Sequence, residues 1–152
     1  MAAVGDCSAL LRAAAPEAAS AGVVVVTGGE PDLRCCTDRR ARQLDLVQFL
    51  LGSGPCVEAA RGRTARANTT EIRTHWPDFA LCARTLHVHS FLCAPLLLGD
   101  EVIATLDLYG DRSYAFDRID EHRMAGLTGA VTAALRRGAA PLAPPRRRRS
   151  LR

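Results

Sequence analysis

The chain carries six cysteines, four histidines and sixteen acids that could do chemistry, and one of these side chains sits in a distinctive frame. In LLGSGPCVEA, residues 50–59, a helical stretch runs into Gly52-Ser53-Gly54-Pro55, and Cys56 falls in the first turn of the next helix. The partial positive charge of a helix start favours thiolate, so Cys56 could be a nucleophile or a redox sensor. The frame fits none of the catalytic loops. A nucleophile elbow needs glycines two residues either side of its serine, and Ser53 has Leu51 and Pro55 there. A phosphate loop needs a lysine, and all 20 basic residues are arginine. The dinucleotide glycine pattern meets Val57 where its third glycine belongs. What remains is a corner at which Gly52 ends one helix and Pro55 begins another. Cys56 then reads as a small packed residue, with a reactive thiol as the alternative.

The other candidates are weaker. His87 and His89 would share a face of a strand, and with His75, Cys82 or Cys93 they could ligate a metal. Their spacing matches no ligand signature, so no metal site is expected. Trp76 and Phe79 could stack on a ligand or pack under a helix. Asp107 interrupts an apolar strand and needs a partner; a structural hydrogen bond to the last helix is the expected one. The run Arg146, Arg147, Arg148, Arg149 could meet nucleic acid or an acidic surface. It lacks interleaved aromatics for stacking, so a solvated tail is expected. No paired catalytic carboxylates and no Ser/His/Asp set stand out, and the chain is not expected to be an enzyme.

The elements that must position these residues follow from composition and pattern. With 152 residues, 48% of them apolar, the chain can build one domain with a real core. No apolar run reaches membrane-spanning length and no secretory leader is read, so a soluble cytoplasmic protein with reduced cysteines is expected. Residues 1–137 hold 15 arginines against 16 acids, a net of −1, while the tail from Gly138 holds five arginines and no acid. Residues 1–5 read as an extension, 6–137 as the domain and 138–152 as a low-complexity, disordered tail.

Within the domain, a helix over 6–15 precedes an apolar β-branched strand at 22–28, which turns back into a strand at 32–37. Thr37 or Asp38 caps a helix over 39–51, whose apolar face is read as Leu44, Val47 and Leu51, flanked by Leu46, Phe49 and Leu50. After the corner come a helix from Pro55 to Ala60, a short strand at 63–68 and a helix from Pro77 to Leu86. A second hairpin pairs 88–98 with 101–110. A last helix spans 117–137, its stripe formed by Met124, Leu127, Val131 and Leu135. This order gives an α+β fold with a single antiparallel sheet: terminal helices cover one face and a helical crossover, residues 38–87, covers the other. A small ligand could sit between sheet and crossover.

The segments AGVVVVTGGEP, TDRRARQLDLVQFLLGSGPCVEA, HWPDFA, VHSFLCAPLLLGDEVIATLDLY and AFDRID come in the order and spacing of a GAF domain. They resemble in particular the actinobacterial GAF domains that often precede an ANTAR RNA-binding domain, over about residues 6–137. The resemblance implies a sensory or regulatory module that binds a small molecule, dimerises through terminal helices and acts on a partner without catalysis. It implies a cavity on the face of Val88, Ser90 and Leu92 and of Leu106 and Leu108, with Phe49, Cys56, Trp76 and Phe79 facing it from the crossover. The ligand and any cofactor remain unknown. Ser53 stands where the family often has glutamate, and His89 where it commonly has arginine. The 15 residues after Arg137 are too few for an ANTAR unit, so RNA binding by that route is not expected. A cysteine-based redox sensor and a ligand-free dimeric scaffold are the alternatives.

Overall fold

The β-branched run forms a strand that starts two residues earlier and ends sooner than its apolarity suggests: β1 (Ser20–Val25). In the computed structural model, which describes residues 3–138, β1 follows α1 (Ala3–Ala14) and pairs antiparallel with β2 (Asp32–Cys36). The turn between them passes through Gly28 and Gly29, both with positive φ. The crossover then runs through α2 (Arg39–Leu51), α3 (Pro55–Ala60), β3 (Ala65–Asn68), α4 (Thr69–His75) and α5 (Pro77–Thr85). The second hairpin is β4 (Ser90–Leu98) and β5 (Glu101–Gly110), and α6 (Glu121–Arg137) closes the chain. Residues 3–5 of the expected N-terminal extension belong to α1, while residues 1–2 and the Arg/Pro-rich tail after Gly138 lie outside the described residues.

The sheet has five strands in the order β2-β1-β5-β4-β3, all antiparallel. Each face has its own core, as period-2 alternation requires. Val23, Leu92, Leu96, Leu106 and Leu108 meet Leu11 of α1 and Leu127, Val131 and Leu135 of α6. Phe91 and Tyr109 meet Leu44 of α2 and Phe79 and Ala83 of α5. The α+β architecture with terminal helices on one face and the crossover on the other is therefore present.

Several elements differ from their sequence expectation. The last helix starts at Glu121, where the Asp120 side chain accepts from the Arg123 N–H at 2.8 Å. The preceding Phe116 and Ile119 are buried in the core instead, and the Arg66 guanidinium donates to both of their carbonyls. Helix α4 has no counterpart in the sequence reading. Its signal was the Asn68–Glu71 pair, in which the Glu71 carboxylate accepts the Asn68 N–H at 3.1 Å. His87 has φ 57, and both it and His89 precede β4, so the two do not share a strand face.

Candidate functional site

Helix α2 begins under the Asp38 carboxylate, which accepts the Ala41 N–H at 2.9 Å, and ends at Gly52 in the left-handed region at φ 65. Its buried face is Ala41, Leu44, Asp45 and Gln48. This corrects the expected face: Leu46, Leu50 and Leu51 are exposed, Leu50 at 77%. Two polar side chains take the inner positions because the sheet and α3 supply their partners. Gln48 Nε2 donates to Leu44 O at 3.1 Å and to Tyr109 Oη at 3.0 Å. Gln48 Oε1 accepts the Cys56 N–H at 2.8 Å, satisfying a free donor of the first turn of α3. Gly54 between them has φ 142, and a Cβ there would meet Gln48 Oε1 at 2.5 Å. The GSGP corner is thus built to bring α3 against Gln48.

Behind this corner lies a polar cluster between the crossover and the sheet. The Tyr109 hydroxyl donates to Asp45 Oδ1. The Cys56 thiol donates to Asp107 Oδ2 at 3.2 Å, and the Thr105 hydroxyl donates to the same oxygen at 3.2 Å. Asp45, Gln48, Cys56, Thr105, Asp107 and Tyr109 are each 0% exposed. Two oxygens in the cluster, Asp45 Oδ2 and Asp107 Oδ1, receive no hydrogen bond from any donor. The two carboxyls lie within hydrogen-bonding reach of each other and can satisfy one another only by sharing a proton. Gly22 of β1 pairs with Asp107 and leaves the space that Asp45 occupies, for a Cβ on it would overlap Asp45 Oδ2.

Burial sets the protonation of this cluster. Desolvation first, and then the neighbouring Asp107, raises the Asp45 carboxyl far above the usual range, so Asp45 holds the proton. Desolvation pushes Asp107 up to about 6 against its hydrogen bonds from Asp45, Cys56 and Thr105. Burial and then the two carboxylates likewise raise the Cys56 thiol. The pull of the helix start towards thiolate is therefore overruled by its surroundings. Cys36, half-buried at the sheet edge, is pushed up to about 12 by burial and then by Asp45. Cys7 is the exception: a hydrogen bond with Cys35, and to a lesser extent Arg34, lowers its thiol. In the native chain at neutral pH an alkylating reagent should modify Cys7 first. Cys56 and Cys93 should react only on unfolding, as peptide mapping over time would show; early labelling of Cys56 would contradict this order.

The residues expected to line a cavity separate into two groups. Leu92, Leu106 and Leu108 face the terminal helices, which corrects the expectation that this face is the cavity side. Ser90 shares that strand face and donates to Arg112 O at 2.7 Å. The pleat explains the reversal: Phe91, Cys93, Thr105, Asp107 and Tyr109 take the crossover side. Val88 lies before β4 begins and packs with Phe79, Ala83 and Phe91. Phe79 stacks edge-on to Phe91 at 5.5 Å, and Phe91 to Tyr109 at 5.9 Å, so its ring packs in the core. Trp76 is half-buried beside His75. Phe49 packs against Cys56, Ala59 and Cys93. Asp107 does not bond the last helix, because it points into the crossover.

Of the expected site, only Cys56 belongs to the polar cluster. Asp45, Gln48, Thr105, Asp107 and Tyr109 complete it. The sequence signals for these were polar residues at 45 and 48, three apart in the otherwise apolar stretch from Leu44 to Leu51, and Asp107 and Tyr109 alternating on one strand face. Among the described residues, the three side chains that could jointly hold a metal are Asp45, Cys56 and Asp107, not the histidines. Separately, an open apolar groove of about 490 Å³ lies between α2 and α5, lined by Leu46, Leu50, Leu81 and Leu86 among others. Tyr109→Phe should cost about 2 kcal/mol, because Asp45 Oδ1 would lose its donor inside the protein. Urea denaturation of both chains would read it, and equal midpoints would contradict the bond.

A family model described as GAF domain matches residues 7–136. No curated protein matches the chain. Among solved structures, type II free methionine-R-sulfoxide reductase from Thermoplasma acidophilum is similar at 16% identity and TM-score 0.60, covering 89% of this chain and 95% of that one. The GAF domain region of a protein from Geobacter sulfurreducens PCA is similar at 15% identity and TM-score 0.63, with 86% and 93% covered. A domain of a protein described as a two-component sensor histidine kinase, from Sinorhizobium meliloti 1021, is similar at 8% identity and TM-score 0.61, with 88% of each covered. At these identities the likeness shows the fold alone. No helix among the described residues is long and apolar enough to cross a membrane.

Proposed function

The chain belongs to the GAF domain family, a family of sensory and regulatory domains, and from that premise we propose that it senses a small ligand held by the buried polar cluster. One observation carries this reading: Asp45 Oδ2 and Asp107 Oδ1, fully buried between sheet and crossover, find no partner in the protein beyond the proton the two carboxyls share. Folding alone disfavours such a pair, since desolvating two adjacent carboxyls destabilises the native state at neutral pH even when one of them keeps its proton. Residues that break a folding rule in this way concentrate at functional sites. The ligand that suits them brings positive charge or hydrogen-bond donors. Its contacts would couple α2 and α3 to β5, and through the sheet to α1 and α6, whose packing would then bias a partner contact.

The role is sensory rather than catalytic on this reading, because the thiol at the cluster is buried and held protonated. A homodimer formed by the terminal helices is the assembly we propose, with a regulatory protein as the partner. The six free cysteines support a reducing, cytoplasmic setting. Within the family, the stretches LGSGPC, WPDFA and LDLY support kinship with the actinobacterial domains that precede ANTAR domains.

A ligand bound only to the folded chain raises its stability by mass action. Full-length chain purified natively from its host should therefore melt at a higher temperature than the same chain unfolded, dialysed and refolded. The gap should vanish in Asp45→Asn. Coincident transitions in the wild type would contradict the proposal.

A further inference from the structure

We propose that Asp45, Cys56 and Asp107 form a binding site for one divalent transition-metal cation of the zinc class. This names the ligand class of the site described above and so rests on the sensory reading of it. One donor atom from each residue lies within 4.8 Å of the other two, and each residue is buried. They come from α2, α3 and β5, three separate elements. Apart from the proton they share, Asp45 Oδ2 and Asp107 Oδ1 have no partner in the protein, the independent sign that something beyond its own donors belongs there.

The donor set selects the metal. A thiol with two carboxyls suits zinc or cobalt, because thiolate ligands favour borderline and soft ions. Calcium takes six to eight oxygens and magnesium a near-octahedral oxygen shell, and two carboxyls beside a sulfur supply neither. Spacing agrees. Zinc–sulfur and zinc–oxygen bonds of about 2.3 and 2.0 Å at a tetrahedral angle put sulfur and oxygen roughly 3.5 Å apart. Cys56 Sγ and Asp107 Oδ2 stand 3.2 Å apart. The cation would replace the thiol proton and the proton shared between the carboxyls, releasing both, so affinity should rise with pH. Three protein donors leave a fourth position for water or a small molecule, the pattern of sites that take an outside ligand.

The test is a titration of metal-free full-length chain with Co2+, run on native chain and on chain refolded with Co2+ present, because the site is fully buried. The expected result is a thiolate-to-cobalt charge-transfer band that saturates at one ion per chain and is displaced by Zn2+. Cys56→Ser should abolish the band, Asp107→Asn should weaken Co2+ binding at least about tenfold, and Cys82→Ser should leave the band unchanged. Asp107→Asn removes a buried charge without changing shape, so its loss of binding would not reflect loss of fold. No band in either preparation, or a band that persists in Cys56→Ser, would overturn the metal assignment. If native mass spectrometry of chain purified from its host shows instead an organic mass that leaves on denaturation, the sensory reading stands and only the metal falls. If it shows neither, both fall.

Discussion

Asp107→Asn will make the metal-free chain more stable at pH 8 and leave it unchanged at pH 3. The sign follows from the raised carboxyl. Below about pH 3, Asp107 is protonated in both the folded and the unfolded chain and contributes no difference. As pH rises towards 6 the unfolded chain loses its proton while the folded chain keeps it, so stability falls. Above about 6 the loss is complete, and the shift from 3.8 to about 6 corresponds to about 3 kcal/mol. The raised Asp45 extends the decline to higher pH. Cys56, Cys93 and Tyr109 surround the pair and are all held neutral by burial, so none of them offsets it. Asparagine at 107 keeps an acceptor for Cys56 and Thr105 and offers Asp45 a donor. Thermal unfolding in chelator should show the variant melting roughly 5–10 °C higher at pH 8. An equal or lower transition would mean the pair is not charged or not buried as described.

Gly22→Ala will destabilise the chain by about 3 kcal/mol. The added methyl would overlap Asp45 Oδ2 and lie 3.1 Å from Asp45 Cγ and 3.4 Å from the Cys35 carbonyl. Asp45 cannot swing away, since Oδ1 is held by Tyr109 and the neighbouring Leu44 and Gln48 are fully buried. Removing the obstructing carboxyl should restore part of the loss: in the background of Asp45→Ala, Gly22→Ala should cost less than about 1 kcal/mol. A double-mutant cycle by urea denaturation measures this coupling. Additive effects would mean that α2 does not press its carboxyl onto β1 at residue 22.

Much of this architecture is legible in the sequence. Both hairpins, the bounds of α2 and α3 and the division of the sheet's faces follow from β-branched runs, from Asp38 and Pro55 as helix starts, and from Gly52 as a helix stop. What the sequence concealed was orientation. An apolar count turns α2 so that Leu46 and Leu50 face inward, but hydrogen bonds to Tyr109 and Cys56 turn Asp45 and Gln48 inward instead. Alternation leaves open which sheet face meets the crossover, and the family resemblance assigned Leu92, Leu106 and Leu108 to the ligand, when they pack against the terminal helices. Asp107 was visible as an anomaly in its strand, but its partners sit on α2 and α3, about fifty residues or more away in sequence. Pairwise chemistry between distant polar groups leaves no periodic trace, whereas hydrophobic faces do.

The central claim is that the buried cluster of Asp45, Cys56 and Asp107 holds a ligand. Native mass spectrometry of the full-length chain purified from its host, beside its denatured mass, tests this most directly, with Asp107→Asn prepared in parallel. The predicted result is one added mass per chain, metal or small molecule, that leaves on denaturation and is missing from the variant. A native wild-type mass equal to the bare chain, or to a whole multiple of it, would contradict the account and leave the GAF domain as a scaffold without a ligand.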